Sequence, residues 1–309
     1  MTGKYATERL SADAAGIARA AGLLRAGGLV AVPTETVYGL AARADSDAAV
    51  ARIYSAKGRP AFNPLIVHVA SLAEAEALAE FPARARALAA AHWPGPLTLV
   101  LPRRRDATLA AAVSAGLPTI ALRWPAHPAM RAVIAGVGAP LGAPSANRSG
   151  FVSPTTAEHV LATLDGRIDA VLDDGACPAG LESTIVAVRG DGRLDVLRPG
   201  PIVLDADAEP SGAIEAPGQL ASHYAPGKPL RLGADGARDG EFLIGFGAVG
   251  GHCMLSANGD LDEAAARLYA CLHQAARSPH PRIAVAAIPD EGVGIAINDR
   301  LRRAAAPAD

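Results

Sequence analysis

The chain is poor in aromatic residues, in lysine and in cysteine, and it has no long apolar run. Phe, Trp and Tyr together make up 4% of its 309 residues. A large aromatic core is therefore excluded, and the many alanines favour close packing of helices. Lysine occurs only as Lys4, Lys57 and Lys228, so arginine carries nearly all the positive charge. A net charge of −2 speaks against a protein that coats nucleic acid, while leaving room for a local basic cleft. Cys177, Cys253 and Cys271 are widely spaced, with no Cys-x-x-Cys or His–Cys cluster. That pattern argues against structural zinc, and a scattered odd set suits a reducing compartment. Residues 1–10 are polar without an apolar signal core, and no run reaches the ~20 apolar residues a membrane span needs. The expectation is a soluble, cytoplasmic protein with no membrane association. Hydrophobic residues at 50% suffice for a substantial core, and the length allows one large domain or two smaller ones.

What is present centres on Lys57-Gly58-Arg59-Pro60-Ala61-Phe62-Asn63-Pro64-Leu65-Ile66-Val67-His68. The stretch starts where an amphipathic helix, Ser46 to about Ala56, should end, and it runs into an apolar strand, Leu65–Val69. Two cations, an amide and an imidazole thus come from a loop held at both ends. A lysine beside an arginine offers a point charge next to a planar fork, a suitable pair for a polyphosphate; a solvated basic turn is the plain alternative. His68 reads as a core histidine or as a ligand contact.

Around this stretch the sequence alternates helices and strands. Ser11 is placed to cap a helix to about Arg25 that stops at Gly27-Gly28, before a buried strand Leu29–Val32. In the next segment, Pro33–Leu40, Thr34 and Thr36 flank Glu35 as a polar lip. Thr34 is either a helix cap, with Val37 and Tyr38 beginning a short helix, or a hydroxyl aimed at a small polar ligand. Ser71 and Glu74 have capping-box spacing. Leu97–Leu101 and Thr119–Arg123 are apolar strands, and Arg123 at a strand exit either snorkels or clamps a carboxylate. Ala143–Gly150 is a turn of small residues carrying Ser145 and Asn147, suited to close approach of an anion to the backbone. Ser153–Glu158 opens a helix, whose N-terminus is either an ordinary cap or a phosphate site. Ile168–Leu172 is a strand. Glu182–Val188 and Arg193–Arg198 form a hairpin around Asp191-Gly192. Alternating Pro and Gly from about Asp205 to Pro229, including Pro210 and Gly212, mark a linker. Strands Phe242–Phe246 and Ile283–Ile288 alternate with helices Asp260–Arg277 and Ile295–Arg303, which gives a second, small α/β unit.

Taken together, these segments resemble the YrdC-like threonylcarbamoyl-AMP synthases in their long two-domain form. The resemblance rests on Pro33–Leu40, Lys57–His68, Trp93–Leu101, Thr119–Arg123, Ala143–Gly150, Ser153–His159, Ser183–Val186, Arg198–Gly200, Ser222–Pro226 and Gly294–Leu301, nearly the whole chain. It implies an α/β fold: a twisted, largely parallel sheet around a positively charged cavity, plus a small C-terminal α/β (Rossmann-like) domain. The implied division is 1–205 catalytic domain, 206–229 linker forming a lid, and 230–309 C-terminal domain. The implied reaction joins L-threonine, bicarbonate and ATP, with Mg2+, into L-threonylcarbamoyladenylate and pyrophosphate. A separate tRNA threonylcarbamoyl transferase complex then uses the product for ANN-decoding tRNAs, without stable tRNA binding by this chain. Carried over by position, Lys57, Arg59, Asn63, Thr119, Ala143 (through its backbone), Ser145, Asn147, Ser153, Arg198 and Tyr224 fall to ATP. Thr34, His68, Arg123 and Ser183 fall to threonine. Lys57 and Arg59 are the implied charge stabilisers of catalysis, and no residues are assigned to a metal. Two other readings compete with this one. A carbamoyl-adenylate domain of a hydrogenase-maturation carbamoyltransferase would need extra segments that are lacking here, and an RNA-binding module fits poorly with the net charge.

Overall fold

The computed structural model describes residues 6–207 and 214–307. Lys4, and Pro210 and Gly212 of the expected linker, lie outside the described residues. One sheet holds ten strands: β1 (Glu8–Ser11), β2 (Val30–Val32), β3 (Gly39–Arg43), β4 (Ile66–His68), β5 (Leu97–Pro102), β6 (Thr119–Arg123), β7 (Leu141–Gly142), β8 (Ala170–Asp173), β9 (Thr184–Val188) and β10 (Leu194–Arg198). Their order is β1-β8-β2-β3-β7-β4-β6-β5-β9-β10. A second sheet holds β11 (Leu230–Ala234), β12 (Glu241–Gly245), β13 (Cys253–Met254) and β14 (Arg282–Ala286) in the order β11-β14-β12-β13. Among the described residues, seven of the twelve pairings in the two sheets are parallel, including all three in the smaller sheet. The five antiparallel ones include β2–β3 and β9–β10, whose links are short enough to need no crossover helix.

The larger unit carries α1 (Ala14–Arg25), α2 (Asp47–Lys57), α3 (Leu72–Leu78), α4 (Ala83–His92), α5 (Pro128–Val137) and α6 (Ala157–Leu164); the C-terminal unit carries α7 (Leu261–Arg277) and α8 (Gly294–Ala305). Ser11 is not the cap of α1. It ends β1, opposite Asp173, and Asp13 caps the helix by accepting from the Gly16 N–H. Val37 and Tyr38 begin no helix; the chain turns directly into β3. Ser46 caps α2 as expected, and Gly58 ends it in the left-handed conformation at φ 59°. The strands β1, β3, β11 and β13 have no counterpart in the sequence reading: β1, β11 and β13 are short with only Leu10 and Ala234 buried in them, and the buried β3 is made mostly of Gly and Ala, which carry little strand signal.

Strand alternation decides what faces what. Leu97, Leu99 and Leu101 of β5, Ile120 and Leu122 of β6, Val67 of β4, and Val186 and Val188 of β9 join the large core. The intervening residues Val100, Ala121, Ile66, Ile185 and Ala187, with Leu197, form a small apolar floor on the other face, covered by Ala216. The row Thr119, Ala121, Arg123 therefore lies on that second face.

The two units share a core: Val37, Val152, Leu181 and Tyr224 pack in one buried cluster with the interior of the C-terminal unit. Gly180 permits this approach, since a Cβ there would come within 2.4 Å of the Ala266 backbone. Cys253 and Cys271 are bonded, with Cα atoms 5.9 Å apart, because α7 packs back on β13; Cys177 is free and buried. The expectation of three scattered thiols is corrected accordingly. Among the described residues no helix is long and apolar enough to cross a membrane.

At the seam, His159 of α6 stacks on His273 of α7 with centroids 3.8 Å apart. The Thr155 N–H donates to His159 Nδ1, and His273 Nε2 donates to the Ser153 carbonyl. Burial first, then neighbouring positive charge from Arg277, brings His159 down to about 4; burial and then His159 bring His273 down to about 3. Unfolded histidines protonate near 6.5. The unfolded chain thus binds more protons below that pH, and stability falls as pH drops from about 6.5 toward about 4. A thermal midpoint that declines across this window, less steeply in the His159→Gln, His273→Gln double variant, is the expected result. A flat midpoint contradicts the neutral stack.

Candidate active site

A small cavity, about 40 Å³ in volume, opens on the floor face of the large sheet. Its walls come from strand ends and loops, where rigid elements hold chemistry-bearing side chains. Thr34 and Thr36 follow β2, His68 ends β4, Arg123 ends β6, Ala143 and Ser145 follow β7, Ser183 precedes β9, and Arg198 ends β10. Arg59 enters from the loop after α2, and Pro217, Gly218, His223 and Tyr224 close one side. Nine of the fourteen residues singled out in the sequence thus line one cavity by their side chains or, for Ala143, at least by position.

Two more support it. Lys57 is buried at the end of α2, and its Nζ donates to the carbonyls of Ser145, at 2.6 Å, and Asn147. It pins the small-residue turn and does not itself line the cavity. Asn63 Oδ1 accepts from Arg59 Nη2 at 2.7 Å, while Arg59 also donates to the carbonyls of Asn63 and Pro64. Asn147 turns its Nδ2 to the carbonyls of Arg148 and Phe151. Ser153 stands away from the cavity and donates to Glu182 Oε1 at 2.5 Å. Thr119 sits on the cavity face of β6 but four residues from Arg123, about 13 Å at ~3.3 Å per residue. Ala143 gives its N–H to the Ile66 carbonyl.

Electrostatics separate the cations into two sets. Arg123 faces Glu35, its Nη2 donating to Oε1 at 2.5 Å, and Arg300 faces Glu182 and Asp299. Lys57, Arg59 and Arg198 are only 2, 8 and 5% exposed, and among the described residues no carboxylate stands within ion-pair distance of any of them. Burial, then Arg59, depresses the Lys57 ammonium well below its usual value; burial brings Arg59 down to about 10 and lowers Arg198. Arg198 is held by the Ser183 and Pro217 carbonyls and by Ser183 Oγ. Buried cations without counter-charges are costly, so the fold is prepared for an anion that it does not itself supply.

Among the described residues, three cavity-lining groups have a buried polar atom without a hydrogen-bond partner: His68 Nδ1, His223 Nδ1 and the Tyr224 hydroxyl. Burial, then Arg123, holds His68 at about 3, so it acts as a neutral imidazole. The Thr34 hydroxyl caps its own turn, accepting from the Thr36 and Val37 N–H groups. Ser183 Oγ lies 2.7 Å from Thr98 Oγ1. Tyr224 has φ +61°, and its ring lies under the Arg300 guanidinium at 5.3 Å and beside Tyr269. Its neighbours tie the segment to both units: the His223 N–H donates to the Arg303 carbonyl and the Ala225 N–H to Gly150.

Thr98, Glu182, Tyr269 and Arg300 are not assigned to the site by the sequence, and Glu35 and Thr36 appear there only as a polar lip around Thr34. The one signal for Glu182 is its place beside Ser183. Glu182 Oε2 accepts from Arg300 Nε at 2.9 Å and from the Tyr269 hydroxyl at 2.8 Å. For a divalent metal the donors do not fit: among the described residues no group of three or more His, Cys, Asp or Glu could hold one. Among the described residues the only carboxylate in the cavity wall is Glu182, already engaged by Arg300 and Tyr269.

Comparison with known proteins agrees with this geometry. Residues 22–200 match a family model described as "Telomere recombination", the Sua5, YciO and YrdC family, and residues 183–306 match "Threonylcarbamoyl-AMP synthase, C-terminal domain". A protein of Bacillus subtilis named threonylcarbamoyl-AMP synthase is 40% identical, covering 97% of this chain and 95% of its own. One of Pyrococcus abyssi with the same name is 37% identical, covering 89% and 90%. The crystal structure of P. abyssi Sua5 complexed with L-threonine superposes with a TM-score of 0.88 at 34% identity, covering 97% of this chain and 98% of that one. By both family models, by identity over most of the chain and by superposition, the chain belongs to the threonylcarbamoyl-AMP synthases, in the form that carries the C-terminal domain.

Proposed function

We propose that the chain joins L-threonine, bicarbonate and ATP into L-threonylcarbamoyladenylate, releasing pyrophosphate and water. The observation that carries this reading is the trio of buried cations, Lys57, Arg59 and Arg198, without counter-charges. A triphosphate supplies the missing negative charge. Mg2+ enters as part of the ATP complex, since the protein offers no carboxylate cluster for it.

The amine of threonine adds to bicarbonate, losing water, and forms a carbamate. A carbamate oxygen then attacks the α-phosphorus, the bond from that phosphorus to the bridging oxygen breaks, and pyrophosphate leaves. The carbamate is already a nucleophile, so catalysis reduces to positioning and charge stabilisation. Arg59 and Arg198 face the phosphates, and Lys57 holds the Ser145–Asn147 turn against them. Asn63, Asn147 and Ser153 act one step back, through Arg59, the turn and Glu182. Thr119, at the far end of the Arg123 row, fits the nucleoside end of a ligand whose other reactant sits at Arg123. Arg123 takes the threonine carboxylate, with Thr34, His68 and Ser183 around the rest of the amino acid. The segment 206–229 serves as a lid, with Tyr224 over the cavity, and shields the labile carbamate from water. The product passes to a separate tRNA threonylcarbamoyl transferase complex in the cytoplasm.

The test is pyrophosphate release from ATP with threonine and bicarbonate each present or omitted. Release that needs both is expected. Release without threonine points to a carbamoyl-adenylate activity, and no release from folded protein refutes the synthase reading.

A further inference from the structure

Glu35 sits between Thr34 and Thr36 in the loop from β2 to β3, yet it does not line the cavity. Its carboxylate is turned to Arg123. Oε1 accepts from Arg123 Nη2 at 2.5 Å, and Oε2 accepts from the backbone N–H groups of Ala126 and His127 at 3.2 and 3.3 Å. Arg123 is held twice more: Nη1 donates to Thr36 Oγ1 at 2.9 Å and Nε to the Gly95 carbonyl at 3.3 Å. A guanidinium has five N–H donors. Three are engaged by protein, leaving one on Nη1 and one on Nη2, the number a bidentate carboxylate contact uses.

We propose that Glu35 is a positioning residue for this reaction: it fixes the plane of Arg123 so that its two free N–H groups meet the α-carboxylate of the amino-acid substrate. Selection of a free α-carboxylate over a neutral group thereby depends on a residue that never touches the substrate. The proposal rests on the assignment of Arg123 to the threonine carboxylate. Both carboxylate oxygens are needed, one for Arg123 and one for the Ala126–His127 backbone. Glutamine has a single acceptor oxygen and would turn its NH2 toward donors on one side or the other.

The experiment compares L-threonine with L-threoninamide, which keeps the amine and hydroxyl but lacks the carboxylate, in pyrophosphate release by wild type, Glu35→Gln and Thr36→Val. Wild type is expected to prefer threonine by about 100-fold or more in kcat/KM. Glu35→Gln should raise the threonine KM by about tenfold or more, leave kcat and the ATP KM within about threefold, and shrink the threonine-to-threoninamide ratio by a similar tenfold. Thr36→Val removes the second tether and should shift the ratio in the same direction, which keeps the proposal falsifiable if Glu35→Gln fails to fold. A variant that loses activity equally on both substrates, or keeps the wild-type ratio, overturns the positioning role. Equal use of both substrates by wild type instead removes the carboxylate assignment of Arg123, and this proposal with it.

Discussion

Alanine at Lys57 or Arg59 should slow pyrophosphate release by about ten- to a thousand-fold, the scale of losing one preorganised charge stabiliser. The two variants should differ in kind. Arg59 lines the cavity, so on the proposed assignment to the triphosphate Arg59→Ala should chiefly lower kcat. Lys57 acts through the carbonyls of Ser145 and Asn147, so Lys57→Ala loosens the turn and also raises the ATP KM. Stability provides the check that a folding defect could not mimic. A buried cation without a counter-charge is a burden on the empty protein, but Arg59 also donates to Asn63 Oδ1 and to the Asn63 and Pro64 carbonyls, acceptors that an apolar side chain leaves unpaired. The two effects oppose each other, so Arg59→Met should melt close to wild type without ligand. Pyrophosphate at about 100 times its Kd should stabilise wild type by about 2.7 kcal/mol and the variant much less. Near-normal turnover in both alanine variants would remove the two cations from catalysis.

Breaking the Glu182–Arg300 pair should carry the largest cost in stability. Arg300 is fully buried, Glu182 is 5% exposed, and the two come from different units. Burial alone would raise the Glu182 carboxyl, but Arg300, Arg198 and the Ser153 hydroxyl bring it down to about 2. Arg300→Ala strands that charge and should cost about 3–5 kcal/mol in denaturant unfolding, the scale for a broken buried pair. The Glu182→Gln, Arg300→Met double variant should recover much of the loss, since no uncompensated charge then remains. The sign of the pH effect follows from the lowered carboxyl. Its contribution is complete above about 4.5 and disappears as pH falls toward about 2. A cost below about 1 kcal/mol would mean the pair behaves like an exposed one. Because Glu182 adjoins Ser183, and the Arg300 guanidinium covers the Tyr224 ring, activity should fall together with stability.

The parts of the fold legible in sequence were those with strong periodicity. α7 was read within a residue because Leu268 and Leu272 recur on one face above an Asp260 cap, and β5 and β6 because their apolar runs are bounded by turn residues. β1, β11 and β13 were not legible: strands of two to five residues, mostly exposed or half-buried, leave no period to read. The site shows the same division. Arg59 stands out beside Lys57 as a pair of cations after a helix, and Arg123 as a cation at a strand exit, whereas the roles of His68 and Arg198 come from the family resemblance. Glu182 and Arg300 were not found as a pair, since nothing local marks which carboxylate meets which guanidinium 118 positions away. Cys253 and Cys271 looked unrelated for the same reason. Their approach is set by how α7 lies on β13, a tertiary fact.

The strand order of the large sheet also governs when this protein can fold. β1 has only β8 beside it, and Glu8 pairs with Ala170, 162 positions later in the chain. β3 waits for β7, and β5 for β9. At ~5–20 residues per second the ribosome needs roughly 8–32 s between making β1 and making its partner. Through that interval β2 lacks β8 on one side, and β5 lacks β9; non-local pairings of this kind form slowly even when all strands are available. The nascent chain thus carries unpaired strand edges for many seconds, and the emergence of β9 and β10 completes the far end of the sheet.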